Sequence, residues 1–224
     1  MCGRRSTVRR MEHEHHEHRF DSAGQADEWD GWYRDRDVAV WSGRPNGRLV
    51  AEIAELTLGH ALDVGCGEGA DAIWLAQRGW RVTAIDVSEV AVSRARAAAE
   101  TGDAAVEWMS GDALVSPFPS GSFDLVSVQY PALPKASGEA AVRTLLDSIR
   151  PGGVFLAVYH DLDDEHREHM KTKGFDPADY FGADDLVPLL AAGFIIERHA
   201  IEPRIDPPPG NPHIADVVLR ARRR

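Results

Sequence analysis

The sequence predicts an α/β domain whose mostly parallel sheet is covered by helices on both faces. Short apolar runs of strand length alternate with segments of helical period, the pattern of βα units around a buried sheet. A glycine-rich turn, Gly65-Cys66-Gly67-Glu68-Gly69, sits where one such strand passes into a helix. The last two apolar runs are joined by a proline-rich loop without a helix, which makes them an antiparallel hairpin on the sheet edge.

The 224 residues suit one domain with appendages. Residues 1–20 are basic at first and then alternate Glu and His from Glu12 to His18. Without apolar periodicity they read as a flexible tail, and Met11 is an alternative start. Residues 21–48 hold Trp29, Trp32, Tyr33, Val38, Val40 and Trp41 among acids and arginines. That suits a short amphipathic helix laying aromatics onto the domain, then a turn at residues 42–47. Residues 49–224 form the domain itself. Residues 49–56 are helical, 61–64 a strand, and 71–78 a helix stopped by Gly79 at its C′ position. Residues 81–85 form a strand, and Ser88 caps a helix running to Gly102. Further strands are expected at 106–109, 123–128 and 154–159, with helices near 139–149 and 184–192. Residues 194–202 and 214–220 complete the set as the hairpin.

Apolar residues at 43% and charged residues at 27% describe a soluble globular chain with material for a core. No run approaches the roughly 18 apolar residues of a membrane helix, and no secretory leader is visible. The two cysteines, Cys2 and Cys66, make no disulfide framework, so a reducing cytoplasm is expected. A formal charge of −11 argues against nucleic acid as partner, because phosphate binding needs clustered cations. A small-molecule substrate is expected instead, with no membrane partner and the oligomeric state open.

Glycines without Cβ atoms let a chain turn tightly and let a ligand lie against the backbone. Gly65-x-Gly67-x-x-Ala70 also satisfies a dinucleotide fingerprint, with Asp86 near the distance of a ribose carboxylate. Charge separates the two readings. Asp63, Glu68 and Asp71 flank the turn and would repel a pyrophosphate, while they favour a cationic ligand. S-adenosylmethionine, with a sulfonium and an ammonium against one carboxylate, is such a ligand.

On these residues the sequence resembles the class I S-adenosylmethionine-dependent methyltransferases, over roughly residues 49–220. The family's first motif resembles Asp63-Val64-Gly65-Cys66-Gly67-Glu68-Gly69, and its acid after the second strand matches Asp86 in Ala84-Ile85-Asp86-Val87. Gly111-Asp112-Ala113, Phe123-Asp124-Leu125-Val126-Ser127 and Pro151-Gly152-Gly153 follow in family order. The resemblance implies a Rossmann-like, seven-stranded sheet. It also implies a cofactor site built from Asp63, Gly65, Cys66, Gly67, Gly69, Asp86, Val87, Gly111, Asp112, Ala113 and Gln129. Asp86 would accept the ribose hydroxyls, Asp112 the adenine amino group, and Asp63 would favour the ammonium. Cys66 reads as a small thiol packed in the turn, and Pro151-Gly152-Gly153 as a turn before the fifth strand.

Within the superfamily the layout resembles the small-molecule tellurite-resistance and thiopurine methyltransferases, with the aromatic segment as a lid. That implies a substrate pocket near Trp41, Tyr130, His160 and His213, and a soft thiol or chalcogen acceptor. An acceptor already ionised needs no protein base; a hydroxyl or amine often does, which makes His160, and more weakly Tyr130, the candidate catalytic residues. Two other readings stay open: a nicotinamide-binding oxidoreductase, and a noncatalytic cofactor- or metal-binding protein. His13, His15, His16 and His18 would bind metal adventitiously, and no defined metal site is assigned. Residues 161–169 read as a solvated loop and helix start, and Arg222, Arg223 and Arg224 as a solvated end.

Overall fold

In the computed structural model the described residues are 22–36, 39–102, 104–207 and 213–224. The Glu/His stretch expected as a tail at residues 1–20 lies outside them, as do Val38 and Pro208, Pro209 and Pro212 of the hairpin loop. The seven strands are β1 (His60–Val64), β2 (Arg81–Asp86), β3 (Val106–Ser110), β4 (Phe123–Gln129), β5 (Ile149–His160), β6 (Phe194–Pro203) and β7 (Ala215–Arg223). They form one sheet in the order β3-β2-β1-β4-β5-β7-β6. The first five run parallel and β7 is antiparallel to both neighbours, as the alternation and the final hairpin require.

Alternate side chains explain why both faces are covered. Leu62, Val126, Phe155 and Ala157 bury into one core with α5 (Gly138–Asp147) and α7 (Ala183–Leu190). Ala61, Leu125, Val154, Leu156 and Val158 bury into the other with α2 (Gly47–Ile53) and α3 (Ala70–Gln77). Helix α3 ends where Gly79, at φ +95°, donates to the Ala76 carbonyl at 3.0 Å. Helix α4 (Glu89–Gly102) begins where the Ser88 hydroxyl accepts from the Ala91 amide at 3.1 Å, the expected cap. The acidic stretch after β5 becomes α6 (Asp164–Thr172), capped by Asp163, which accepts from the His166 amide at 2.8 Å.

Pro151-Gly152-Gly153, expected as a turn before the fifth strand, lies inside β5. Between the pairs Phe123↔Ile149 and Leu125↔Val154 the register slips, so the segment is a bulge in a longer strand. Its shape follows from crowding: a Cβ on Gly153 would meet Ile149 Cγ2 at 2.8 Å and the Arg150 carbonyl at 2.9 Å, and Gly152 supplies φ +80°. Among the described residues no helix is long and apolar enough to cross a membrane.

The aromatic segment forms α1 (Ser22–Arg34). It is tied to α4 through Asp30, which accepts from the Ser88 hydroxyl at 2.7 Å and the Val90 amide at 3.2 Å. Gln25 reaches the loop after β4, donating to the Ala132 carbonyl at 3.0 Å. The register Asp63↔Ala84, Asp86↔Ser110 and Gln129↔Val158 brings the carboxyl ends of the parallel strands to one edge, where open α/β sheets bind ligands.

Candidate functional site

A cavity of about 1410 Å³ opens at that edge, walled by α1, residues 39–51, the glycine turn, the residues following β2, β3 and β4, the end of β5 and the loop after β6. A pocket for one drug-sized ligand measures about 300–1,000 Å³, so this one has room for more than one small molecule. All eleven residues that the resemblance assigned to the cofactor line it, together with Trp41, Tyr130 and His160. His213 lies outside that lining and stacks behind His160, with ring centroids 4.3 Å apart.

The turn is held to β2 by the Gly65 and Cys66 amides, which donate to the Ile85 carbonyl at 2.8 and 3.1 Å. Its glycines do different work. Gly65 at φ +69° has nothing within 4 Å of where a Cβ would stand, so it leaves an open cradle. Gly69 at φ +84° lies so close to α4 and β3 that a Cβ would meet Trp108 Cη2 at 2.5 Å and Ala95 Cβ at 2.8 Å. Burial pushes the Cys66 thiol well above its ordinary pKa, which suits a packed group rather than a nucleophile.

Three carboxyl groups converge beneath the cradle. Asp63 is buried with one carboxyl oxygen unpartnered, and burial, then the charges of Asp71 and Asp86, raise its pKa well above the carboxylate range. Burial likewise raises Asp71, which accepts from the backbone and side-chain nitrogens of Asn46, both at 2.7 Å. Asp86 accepts from the Gly67 amide at 2.8 Å and the Ser88 amide at 2.9 Å, and burial raises it too. Each Asp86 oxygen keeps a second lone pair, so capping the turn and accepting from a ligand hydroxyl are compatible. A cation at this spot would relieve the mutual repulsion of all three. Asp112 has a turn role of its own, accepting from the Leu114 amide at 2.8 Å.

Glu68 does not belong to that cluster. Its carboxylate accepts from the Val40 and Trp41 amides at 2.8 and 3.1 Å and pairs with Arg94 at 3.0 Å. Arg94 in turn donates to the Tyr33 and Arg36 carbonyls at 2.9 and 2.6 Å. The acid in the middle of the glycine turn therefore fastens the aromatic segment to it, and sequence reasoning counted its charge toward the ligand instead. Trp41 stands 51% exposed, stacked on Trp32 and donating from Nε1 to the Tyr33 hydroxyl at 3.0 Å.

At the far end of the cavity Tyr130 and His160 stack at 4.2 Å. Tyr130 takes an unusual φ of +50°, held by its amide donating to the Val158 carbonyl at 2.7 Å and its hydroxyl donating to Asp216 Oδ1 at 3.1 Å. Burial and the Asp216 charge raise the phenol further. Burial, then His213 and Arg204, lower His160 to about 3, so it stays neutral. Arg204 and Asp216 were not anticipated. The pairing of β5 with β7 sets Asp216 opposite His160, and the antiparallel hairpin read from the sequence already implied that the 203–214 loop returns to this end. Among the described residues no cluster has the composition of a metal site.

Comparison with known proteins agrees with this geometry. A family described as a methyltransferase domain matches residues 61–153. A demethylmenaquinone methyltransferase of Symbiobacterium thermophilum is 32% identical over 143 residues, covering 61% of this chain and 50% of that protein. The chain spans half or less of the length of the first curated relatives it matches. A structure solved in work on conversion of a disulfide bond into a thioacetal group during echinomycin biosynthesis superposes with a TM-score of 0.71. It shares 26% identity, covering 89% of this chain and 92% of that one. TehB from Haemophilus influenzae shares the fold at a TM-score of 0.63 and 14% identity, over 89% of this chain and 67% of its own. With the strand order, the glycine turn and this match together, residues 61–153 are similar to a methyltransferase domain, set in the seven-stranded fold shared with these solved structures.

Proposed function

We propose that the protein transfers the methyl group of S-adenosylmethionine to a small-molecule acceptor, with residues 21–48 as a lid over residues 49–224. The observation that carries this is the open cradle at Gly65 above the buried, unpartnered oxygen of Asp63. The residues fit the cofactor: Asp63 favours its ammonium, the lone pairs of Asp86 its ribose hydroxyls, and Asp112 its adenine amino group. Gly65, Cys66, Gly67 and Gly69 form the surface for the methionine portion, with Val87, Gly111, Ala113 and Gln129 in the surrounding wall. When bound, the cofactor supplies a methyl carbon already activated by its sulfonium. The protein's share is then to hold the acceptor in line and keep water out.

A soft, readily ionised acceptor such as a thiol fits best. His160 is held neutral with a pKa of about 3 and the Tyr130 hydroxyl is committed to Asp216, so neither is a base of ordinary strength. The sulfur chemistry named for the structural relative at 26% identity supports the same choice. This weakens the reading of a hydroxyl or amine acceptor served by His160. A nicotinamide dinucleotide fits poorly, because Asp63, Asp71 and Asp86 would face its pyrophosphate.

Calorimetric titration with S-adenosylhomocysteine tests the proposal, with NAD in parallel and Asp86→Asn as the site variant. Micromolar binding of the first, weakened in the variant and absent for NAD, is expected. Binding of NAD alone, or of neither, would overturn the reading.

A further inference from the structure

We infer that Arg204 is a specificity-determining residue and that the acceptor carries a negative charge which its guanidinium recognises. The inference rests on the methyltransferase reading and adds the class of acceptor to it.

Arg204 enters the site from the loop after β6, its amide donating to the Ile214 carbonyl at 2.8 Å. That anchors the backbone, while the side chain lines the cavity. The guanidinium lies 4.9 Å from the Tyr130 ring centroid, and Nη1 stands 3.5 Å from His160 Nδ1. Neither partner carries charge: one is a phenol raised in pKa, the other an imidazole lowered to about 3. Among the described residues Arg204 forms no ion pair with a carboxylate within 4.0 Å, whereas Arg48, Arg94, Arg198, Arg220 and Arg222 all do. The nearby acid, Asp216, is fully buried, accepts from Tyr130, and has its pKa raised by burial. Arg204 acts on that charge, lowering the Asp216 pKa against the effect of burial, without forming an ion pair within 4.0 Å.

A guanidinium carries five donors that cannot be deprotonated, and here it lies against two flat rings in a half-buried site. The other ligand of this cavity brings a positive sulfonium. Two cations sharing one cavity repel each other, and an anionic acceptor placed between them neutralises both. The charge also acts on the acceptor itself, since a neighbouring cation favours the ionised form of a thiol or acid. Arg204 thus does by electrostatics what the neutral His160 does not do by proton transfer. The acceptor's proton leaves to solvent, its lone pair forms the new bond to the methyl carbon, and the electrons of the broken C–S bond remain on the departing thioether. The recognised anion is either the ionised reacting atom or a carboxylate beside it.

Two ligand pairs, each differing only in methylation of the anion, separate these sources: thiophenolate with thioanisole, and benzoate with methyl benzoate. Each is titrated by tryptophan fluorescence into the full chain saturated with S-adenosylhomocysteine, for the wild type, Arg204→Gln and Arg204→Lys. The expected result is that the anion of at least one pair binds about tenfold or more tightly than its neutral partner. Which pair shows it identifies the source. Arg204→Gln should abolish the preference while S-adenosylhomocysteine binds as before, and Arg204→Lys should retain part of it. No charge preference in either pair, no binding of either anion, or equal weakening of charged and neutral ligands in Arg204→Gln would overturn the inference alone. Loss of S-adenosylhomocysteine binding by the wild type would instead overturn the methyltransferase reading beneath it.

Discussion

Replacing Gly69 by alanine separates the structural from the ligand-facing glycines of the turn. At φ +84° an alanine sits in left-handed backbone, which costs roughly 1–2 kcal/mol. Its Cβ would also lie 2.5 Å from Trp108 Cη2 and 2.8 Å from Ala95 Cβ, an overpacking that costs about 1–3 kcal/mol. The sum is about 2–5 kcal/mol, and at roughly 2–4 °C per kcal/mol for a domain of this size the melting temperature falls by about 4–20 °C. Gly65→Ala shares the left-handed strain at φ +69° but meets nothing within 4 Å, so its thermal loss stays near the strain alone, about 1–2 kcal/mol. Its Cβ instead intrudes where the cofactor would lie. Thermal unfolding by circular dichroism and titration with S-adenosylhomocysteine should therefore rank the two in opposite orders: Gly69→Ala worse in stability, Gly65→Ala disproportionately worse in affinity. Equal thermal losses, or wild-type stability in Gly69→Ala, would refute this division of labour.

Glu68→Gln removes the ion pair with Arg94 and weakens the acceptor for the Val40 and Trp41 amides. Acrylamide quenching of tryptophan fluorescence should rise and stability fall by about 1–3 kcal/mol; unchanged quenching would show that the segment is held elsewhere. Tyr130→Phe removes the hydroxyl that donates to Asp216 Oδ1, while Oδ2 is already unpartnered. A loss of about 1–3 kcal/mol in urea denaturation is expected, and an unchanged midpoint counts against that role. His160 has a pKa of about 3 in the folded chain against 6.5 ordinarily, so between those values the unfolded chain binds more protons. Its contribution is complete above about pH 6.5 and is lost as pH falls toward 3. His160→Asn should therefore lose stability less steeply on acidification than the wild type. Equal slopes would sink this assignment, and because the raised carboxyls of Asp63, Asp71 and Asp86 act with the opposite sign, the comparison must be between the two chains.

The sheet and the glycine turn were legible because they depend on local pattern. Alternating apolar runs place β1 to β5, Ser88 announces the start of α4, and the glycine turn needs only its own residues. Pro151-Gly152-Gly153 misled because a strand that bulges and resumes shows the same residues as a turn. Glu68 misled because its fate is set by Arg94 and by the Val40 and Trp41 amides, contacts that span more than twenty residues. Arg204 was missed for a related reason. An arginine after Pro203 looks like solvated loop until β7 returns beside β5 and carries it onto Tyr130.

The cavity is stitched from separate stretches of chain. Residues 61–153, which match the methyltransferase family, supply the glycine turn, Asp86, Asp112 and Tyr130, whereas Trp41, Arg44, His160 and Arg204 come from either side of them. The wall of the cavity is thus assembled from the family-matching stretch and from the segments on both sides of it. On the proposed function, a mutational library confined to positions 41, 160 and 204 is expected to change which molecule is methylated while S-adenosylhomocysteine binds as before.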